Sequence, residues 1–553
     1  MNRWTKILGS WVVAMAVAGC EPPAPIVVDK APKDALSSKN DRTPKENRSS
    51  NDPQAESQKV EKPDAPSVKV EDVHSNWIAS HDLPSEHWEL IYARNTPIGF
   101  HHQQMKEVDS VASKSIECVH ESRLKLQKGN ILTQQTLKVE TTEYFDGELR
   151  TFRIEYAIGD QATKIQGKAV SNVLQYEIER EGKKENKTLP WSKEHRGPFA
   201  IEQSLRRKSL EPDEVRIVNY LDPVMLTVVE ARLQSRGKIT TPLLDGTLAE
   251  LTEVEVQTKY GDKSLKTLYW VDERGQSLKS YITYLDMRTF RGTRAAAENL
   301  KEHGALDLAT LSHLFLKDKV DGIQDAKSIR YRVTLSGADP FEIFSRKTNQ
   351  KIESISNREA IVTVTRPELN EPLPPGIDAE QGASEKYLAK TPEMAWDDPS
   401  IQELLKEGLK QARAGESEIQ TLTRFVFEKV GKRVFSRGVS SASEVAKSLQ
   451  GDCTEHAILL ATLARARKIP SRLALGMVYG EHEGKPCLSY HMWVELWKDD
   501  RWIAVDPTRN QVLVPPDRIK ITETGWENGT ASTSLLDVFR TMGQMSVEIQ
   551  PGD

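Results

Sequence analysis

The sequence predicts a multidomain chain: an antiparallel, β-rich N-terminal and middle region followed by an α+β domain. Three observations carry this. From Trp88 to about Leu285 the dominant period is two, as where Phe152, Ile154, Tyr156 and Ile158 alternate with Arg153, Glu155 and Ala157, the pattern of strands with one solvated face. From Asp398 to about Lys468 apolar residues recur at steps of three and four, the helical period. The length of 553 residues exceeds what one ordinary core holds and suggests two to four domains.

Composition narrows the function. Lys plus Arg is 76 and Asp plus Glu is 81, a formal net charge of −5. Such a balance gives no global basic field, so no nucleic-acid partner is expected. Apolar residues make up 38% of the chain, the mean hydropathy is −0.54, and no apolar run of about 20 residues lies beyond the N-terminus, which excludes a multi-span membrane protein. The four cysteines, Cys20, Cys118, Cys453 and Cys487, are too few for a disulfide-stapled scaffold.

Residues 1–19 read as a secretory signal peptide: Arg3 and Lys6 precede an uncharged apolar run from Ile7 to Val17, then small residues. The end, Val17-Ala18-Gly19-Cys20, resembles the bacterial lipobox. That resemblance implies lipid attachment at Cys20 and a lipid-anchored protein of the cell envelope, facing the periplasm or the exterior. Which membrane holds it is open, because Glu21 decides nothing. Removing residues 1–19 takes two basic residues and no acid, leaving 74 against 81, or −7. Residues 20–76 are rich in proline and mixed charge, with no aromatic residue between Trp11 and Trp77. They cannot bury enough apolar area to offset chain entropy, and they are expected to form a disordered tether.

Residues 77–290 are expected to form the antiparallel β-rich domain. The pair Asp146-Gly147 between Phe145 and Leu149 is a hairpin signal. A short helix is expected near Pro198 to Leu210. The run Tyr269-Trp270-Val271-Asp272, with Gly275 and Leu278, resembles the closing hairpin of periplasmic curved-sheet domains. His101-His102-Gln103-Gln104 alternates across a strand, so its histidines face opposite ways, and it is read as solvated. Residues 291–324 are expected as a helical connector, 325–370 as a small β unit, 385–520 as the α+β domain, and 521–553 as a C-terminal extension. The stretch Glu371-Pro372-Leu373-Pro374-Pro375 marks a boundary.

In the α+β domain, Asp398-Pro399 opens a helix with an N-cap acid and a proline at its first position. Gly451-Asp452-Cys453-Thr454-Glu455-His456 then leads into an Ile-, Leu- and Ala-rich run. Asp452 with Glu455 forms a capping-box pattern and places Cys453 in the first turn of a buried helix. There the free N–H groups and the helix dipole favour a thiolate, so the cysteine pKa is expected to fall.

Two strands follow, Leu473 to Tyr479 and Tyr490 to Trp497, and a third returns over Trp502 to Asp506. With Asp499-Asp500 as a two-residue loop, Lys498 faces Arg501, Trp497 faces Trp502 and Trp493 faces Asp506. His491 then sits one diagonal step from Asp506, about 7–8 Å at the backbone, within reach of a His–Asp hydrogen bond. A cysteine at a helix N-terminus with an oriented His–Asp pair is what nucleophilic thiol chemistry requires. The spacings of Cys453 with His456 and Cys487 with His491 could also suit zinc. The triad reading accounts for Asp506 as well, and no metal is expected. Cys487 is read as a loop cysteine, and whether it pairs with Cys118 is open.

The set Gly451-Asp452-Cys453, Ala457, Leu460 and Ala464, Ile469-Pro470-Ser471-Arg472, His491-Met492-Trp493-Val494-Glu495, Trp502 and Asp506-Pro507-Thr508 resembles the transglutaminase-like superfamily, over about residues 395–515. The resemblance implies a papain-like α+β core in which Cys453 is the nucleophile, His491 the general base and acid, and Asp506 the residue orienting His491. Asp452, His456 and Trp493 are expected beside the substrate, which would be a protein or peptide. No cofactor is implied. Many relatives have Ala where this chain has Met492, but that residue lies on the opposite face from His491. Peptide or amide hydrolysis and cross-linking by transglutamination remain open, and the sequence sets no oligomeric state. The competing expectation is a catalytically silent envelope adaptor that binds peptide, lipid or lipoprotein.

Overall fold

The computed structural model describes residues 68–70, 83–109, 114–128, 131–159, 161–180, 182–261, 263–299, 304–307, 311–368, 385–432, 440–526 and 530–551. Cys20, the signal peptide and nearly all of the tether lie outside the described residues. The fold is multidomain and β-rich, with antiparallel sheets preceding a mixed α and β C-terminal part.

The first body is a sixteen-stranded sheet made of two meanders and two short strands, Val68–Val70 and Leu306–Asp307, that pair parallel to it. One meander runs from Ser85–Ala93 to Lys183–Pro190, the other from Val215–Asp222 to Met287–Gly292. They join where Met287–Gly292 pairs antiparallel with Ser85–Ala93. The Asp146-Gly147 turn forms, with Gly147 at φ 81° and its N–H donating to Tyr144 O at 2.9 Å.

The expected short helix spans Ala200–Arg207. Gln103 donates to Glu202 at 2.6 Å, Gln203 to Glu143 at 2.7 Å, and Arg216 to the Ser204 carbonyl at 2.7 Å. Gln103 and Glu143 sit on strands separated by a single strand in the pairing order, whereas Arg216 sits near its far end, so the sheet wraps round the helix. Gly275, at φ 71° in the hairpin after Val271, lets this helix approach: a Cβ there would stand 2.0 Å from Leu205 O.

Two expectations change here. The His101 to Gln104 strand is not solvated on both faces. His101 and Gln103 are buried on the helix-bearing face, while His102 stacks on Trp88 at 3.9 Å on the other. The connector is mostly not helical. Among its described residues Arg294–Glu298 and residues 311–312 are helical, whereas Leu306–Asp307 pairs with Leu126 and Gln127, and His313–Phe315 pairs with Cys487 to Ser489. Open sheet edges offer these segments hydrogen bonds that a short helix would leave unmade.

The small β unit is a four-stranded sheet in which Ser328–Leu335 lies between Glu359–Thr365 and Met545–Pro551. Its outer strand therefore comes from the segment expected as a C-terminal extension.

The remaining elements position the site. Helix α1 (Pro399–Lys410) has Asp398 as N-cap and Pro399 in its first turn, as expected. Helices α2 (Glu418–Lys429) and α3 (Ala442–Ser448) both begin with capping boxes. All three pack on α4 (Cys453–Ala466), which is buried almost all round. Helix α4 lies against strands β1 (Ser471–His482) and β2 (Lys485–Lys498). Strand β3 (Arg501–Asp506) pairs with β2, and β4 (Arg518–Thr524) pairs with the other side of β1. Strand β4 continues past residue 520, so the sheet takes in the start of the supposed extension.

Candidate active site

The capping box that starts α4 is formed. The Asp452 carboxylate accepts from the Thr454 N–H at 2.9 Å, and Glu455 accepts from the Asp452 N–H at 3.0 Å. Cys453 is thereby fixed at the first helical position, with no exposed surface. Asp452 spends its carboxylate on this cap. His456, one turn on, bonds through Nδ1 to the Asp452 carbonyl at 2.6 Å. Burial lowers its pKa, partly offset by that bond and by the charge of Asp506.

The β2–β3 register matches the two-residue loop. Lys498 pairs with Arg501, Trp497 with Trp502 and Val494 with Val505. Asp499 and Asp500 take φ of 50° and 57°, both positive, as a hairpin turn matching the strand twist requires. This register brings His491 to Asp506, with Nε2 donating to Oδ2 at 2.8 Å. Both side chains are fully buried. His491 Nδ1 is also buried and has no hydrogen-bond partner among the described residues. Burial lowers the His491 pKa, and Asp506 opposes that shift. For Asp506, burial alone would raise the carboxyl pKa, but His491, Arg518 and Arg509 together hold it far below the usual carboxylate range.

Trp493 lies two residues along the same face, its ring 6.3 Å from the His491 ring and 23° from parallel. Gly476, opposite His491 on β1, makes room for it. A Cβ there would stand 2.8 Å from the tip of the indole and 2.0 Å from Ile519 O. Glu495, next on that face, is used structurally. It accepts from Arg472 at 2.6 Å, Lys520 at 2.8 Å and Thr348 at 2.8 Å. That cluster ties β1, β2 and β4 to the small β unit.

Arg518, Asp517 and Arg509, none of them singled out by the sequence, surround Asp506 beside Thr508 of the Asp506-Pro507-Thr508 motif. Arg518 donates to the same Oδ2 at 2.8 Å, and Thr508 N–H donates to Oδ1 at 3.0 Å. Arg518 also pairs with Asp517 at 2.9 Å, which Arg509 approaches at 3.4 Å. No local signal marks Arg518, because it reaches Asp506 only through long-range pairing of β4 with β1.

Cys487 is not a loop cysteine but a buried residue of β2, its Sγ 3.5 Å from Ser489 Oγ. Cys118 is buried in the large sheet, and both are thiols rather than a disulfide. Burial raises the pKa of each.

Residues 402–507 match the family model of the transglutaminase-like superfamily. The chain therefore carries a transglutaminase-like domain, and the match includes Cys453, His491 and Asp506. Solved structures similar to the chain include a candidate cysteine protease from Cytophaga hutchinsonii, 17% identical over 43% of this chain and 90% of that one, TM-score 0.26. A β-barrel-like protein of a domain of unknown function from Brucella abortus is 10% identical over 38% of this chain and 96% of its own, TM-score 0.29. A TGase is 15% identical over 29% of this chain and 43% of its own, TM-score 0.16. No curated protein matches the chain.

Proposed function

We propose that this protein is a thiol enzyme transferring acyl groups at amide bonds of proteins or peptides, anchored in the cell envelope through a lipid on Cys20. Cys453 is the nucleophile, His491 the base and acid, and Asp506 the group that orients His491. One observation carries the reading: His491 uses Nε2 on Asp506 and keeps Nδ1 without a partner, on the strand against which the Cys453 helix packs.

In the first step the Cys453 thiolate, its proton transferred to His491 Nδ1, attacks the amide carbonyl carbon. The C–N bond breaks, the departing nitrogen takes the proton from His491, and a thioester remains. Water or a second amine then attacks the thioester carbon and gives its proton to His491, and the thiolate leaves. Asp506 stays ionised throughout and stabilises the imidazolium. The Cys453 backbone N–H, at a helix N-terminus, is the donor proposed for the oxyanion. Water yields hydrolysis and a lysine-like amine yields a cross-link, from one thioester.

The test is alkylation of Cys453 in the full chain, followed by mass spectrometry. Labelling faster than that of a small model thiol near neutral pH, lost in His491→Ala, supports the enzyme. Labelling at the model-thiol rate favours the silent adaptor. A peptide library assayed for both cleavage and amine incorporation then separates hydrolysis from cross-linking.

A further inference from the structure

Asp506 is not held by His491 alone. Its Oδ2, which accepts from His491 Nε2 at 2.8 Å, accepts from Arg518 Nη1 at the same distance. Arg518 is buried and held in three directions: Nη1 on Asp506, Nε on Asp517 Oδ1 at 2.9 Å, and Nη2 on Gln511 Oε1 at 2.6 Å. Its guanidinium carbon lies 5.7 Å from the Trp493 ring centroid, and Trp493 stacks on His491. One side chain from β4 thus touches both supports of the imidazole.

We infer that Arg518 is a positioning residue: it fixes the carboxylate that orients His491 and limits the negative charge the imidazole feels. The inference rests on the reading of Cys453 and His491 as the reacting pair.

The charges around His491 can be followed element by element. Strand β3 supplies Asp506, and the turn after it supplies Arg509. Strand β4 and the residue before it supply Arg518 and Asp517. Helix α4 supplies Cys453 and His456, with Asp452 and Glu455 engaged in the cap. Strand β1 places Gly476 opposite His491 and brings no charge there. Two carboxylates and two guanidiniums therefore balance beside a neutral imidazole. An imidazolium adds one positive charge, which the thiolate of Cys453 balances in turn. Removing the Arg518 charge leaves a net negative cluster, which favours the imidazolium. Opposite charge within about 4–6 Å moves a pKa by about 1–3 units, and the surviving Arg509 places the expected shift at the low end.

The experiment alkylates Cys453 of the full chain with iodoacetate across the pH range. The anionic reagent is drawn to the imidazolium, so its rate falls on the alkaline side as His491 loses its proton. In R518Q the alkaline midpoint is expected to move up by about one pH unit. In R518K, which keeps the charge but not the three-way contact, the midpoint stays and the rate falls about tenfold through loss of orientation. A merely structural arginine would lower the rate in R518Q without moving the midpoint, and that result overturns the inference. If R518Q does not fold, R518K decides alone, and an unchanged rate there overturns it. A wild-type Cys453 no more reactive than a small-peptide thiol overturns the nucleophile reading and this inference with it. A reactive wild type whose midpoint stays put in R518Q overturns the inference only.

Discussion

Replacing Asp506 by Asn should separate folding from chemistry in this site. Asn is nearly isosteric, so the β2–β3 pairing survives, and the loss is electronic. Three donors converge on the carboxylate: His491 Nε2 and Arg518 Nη1 at 2.8 Å, and the Thr508 N–H at 3.0 Å. An amide offers one oxygen for all three and turns its own N–H groups toward one of them. His491 then loses both its preferred tautomer and the charge that stabilises its protonated form. In hydrolytic triads that loss costs about 10³–10⁴ in rate, about 4–5.5 kcal/mol of barrier. The folding cost is smaller than the roughly 3–5 kcal/mol of breaking a buried pair outright, because Asp517 still neutralises Arg518. Alkylation of Cys453 near neutral pH gives the first quantity and urea unfolding of the same sample the second. A D506N variant that alkylates within tenfold of the wild type would refute the role assigned to Asp506. A variant that does not fold would show that the carboxylate holds the sheet rather than the imidazole.

Four further outcomes are expected. Glu495→Gln takes one carboxylate from the fully buried Arg472 and from the buried Lys520, which keeps Glu523 at 3.5 Å, and should cost about 3 kcal/mol in chemical denaturation. Gly476→Ala drives a methyl against Ile519 O and the Trp493 ring; it should destabilise by about 1–3 kcal/mol and slow Cys453 alkylation, because the indole supporting His491 must shift. Asp452→Ala removes the cap on α4 and should cost about 1 kcal/mol by thermal unfolding, with Asp452→Asn recovering most of it. Stability should fall in two acid windows followed by urea unfolding against pH. His491 has a folded pKa below its unfolded one, so the unfolded state binds a proton first and stability is lost as pH drops below about 6.5. Asp506 has a strongly depressed folded pKa; its contribution is complete above about pH 4 and is lost on further acidification. D506N should abolish the lower window's contribution and deepen the upper one, because the charge that opposes the fall of the His491 pKa is gone.

What could be read in the sequence was what local rules decide. The Asp452 cap, the positions of Cys453 and His491, and the β2–β3 register follow from periodicity and a two-residue turn, which fix which side chains share a face. The helix Ala200–Arg207 was legible for the same reason. Arg518 was not, since its approach to Asp506 depends on which strand lies beyond β1. The connector misled because Ala295 and Ala296 favour helix, whereas two sheet edges elsewhere in the fold captured the residues that follow. His101 looked solvated because alternation says which residues share a face but not what covers it. The helix that packs on that face comes from a segment about a hundred residues later.

The placement of Met545–Pro551 bears on how the chain is made. This strand completes a sheet whose central strand, Ser328–Leu335, precedes it by some two hundred residues, and the whole transglutaminase-like domain lies between them. During vectorial synthesis or export the N-terminal meanders can close hairpin by hairpin as they emerge. The small sheet cannot finish until the distal segment arrives, so its assembly is dominated by non-local contacts and is slow. Glu495, on the same face of β2 as His491 and Trp493, accepts from Thr348 in the turn before the edge strand Gln350–Ser356, so the part of the small unit that precedes the domain is already tied to β2 when the distal strand arrives.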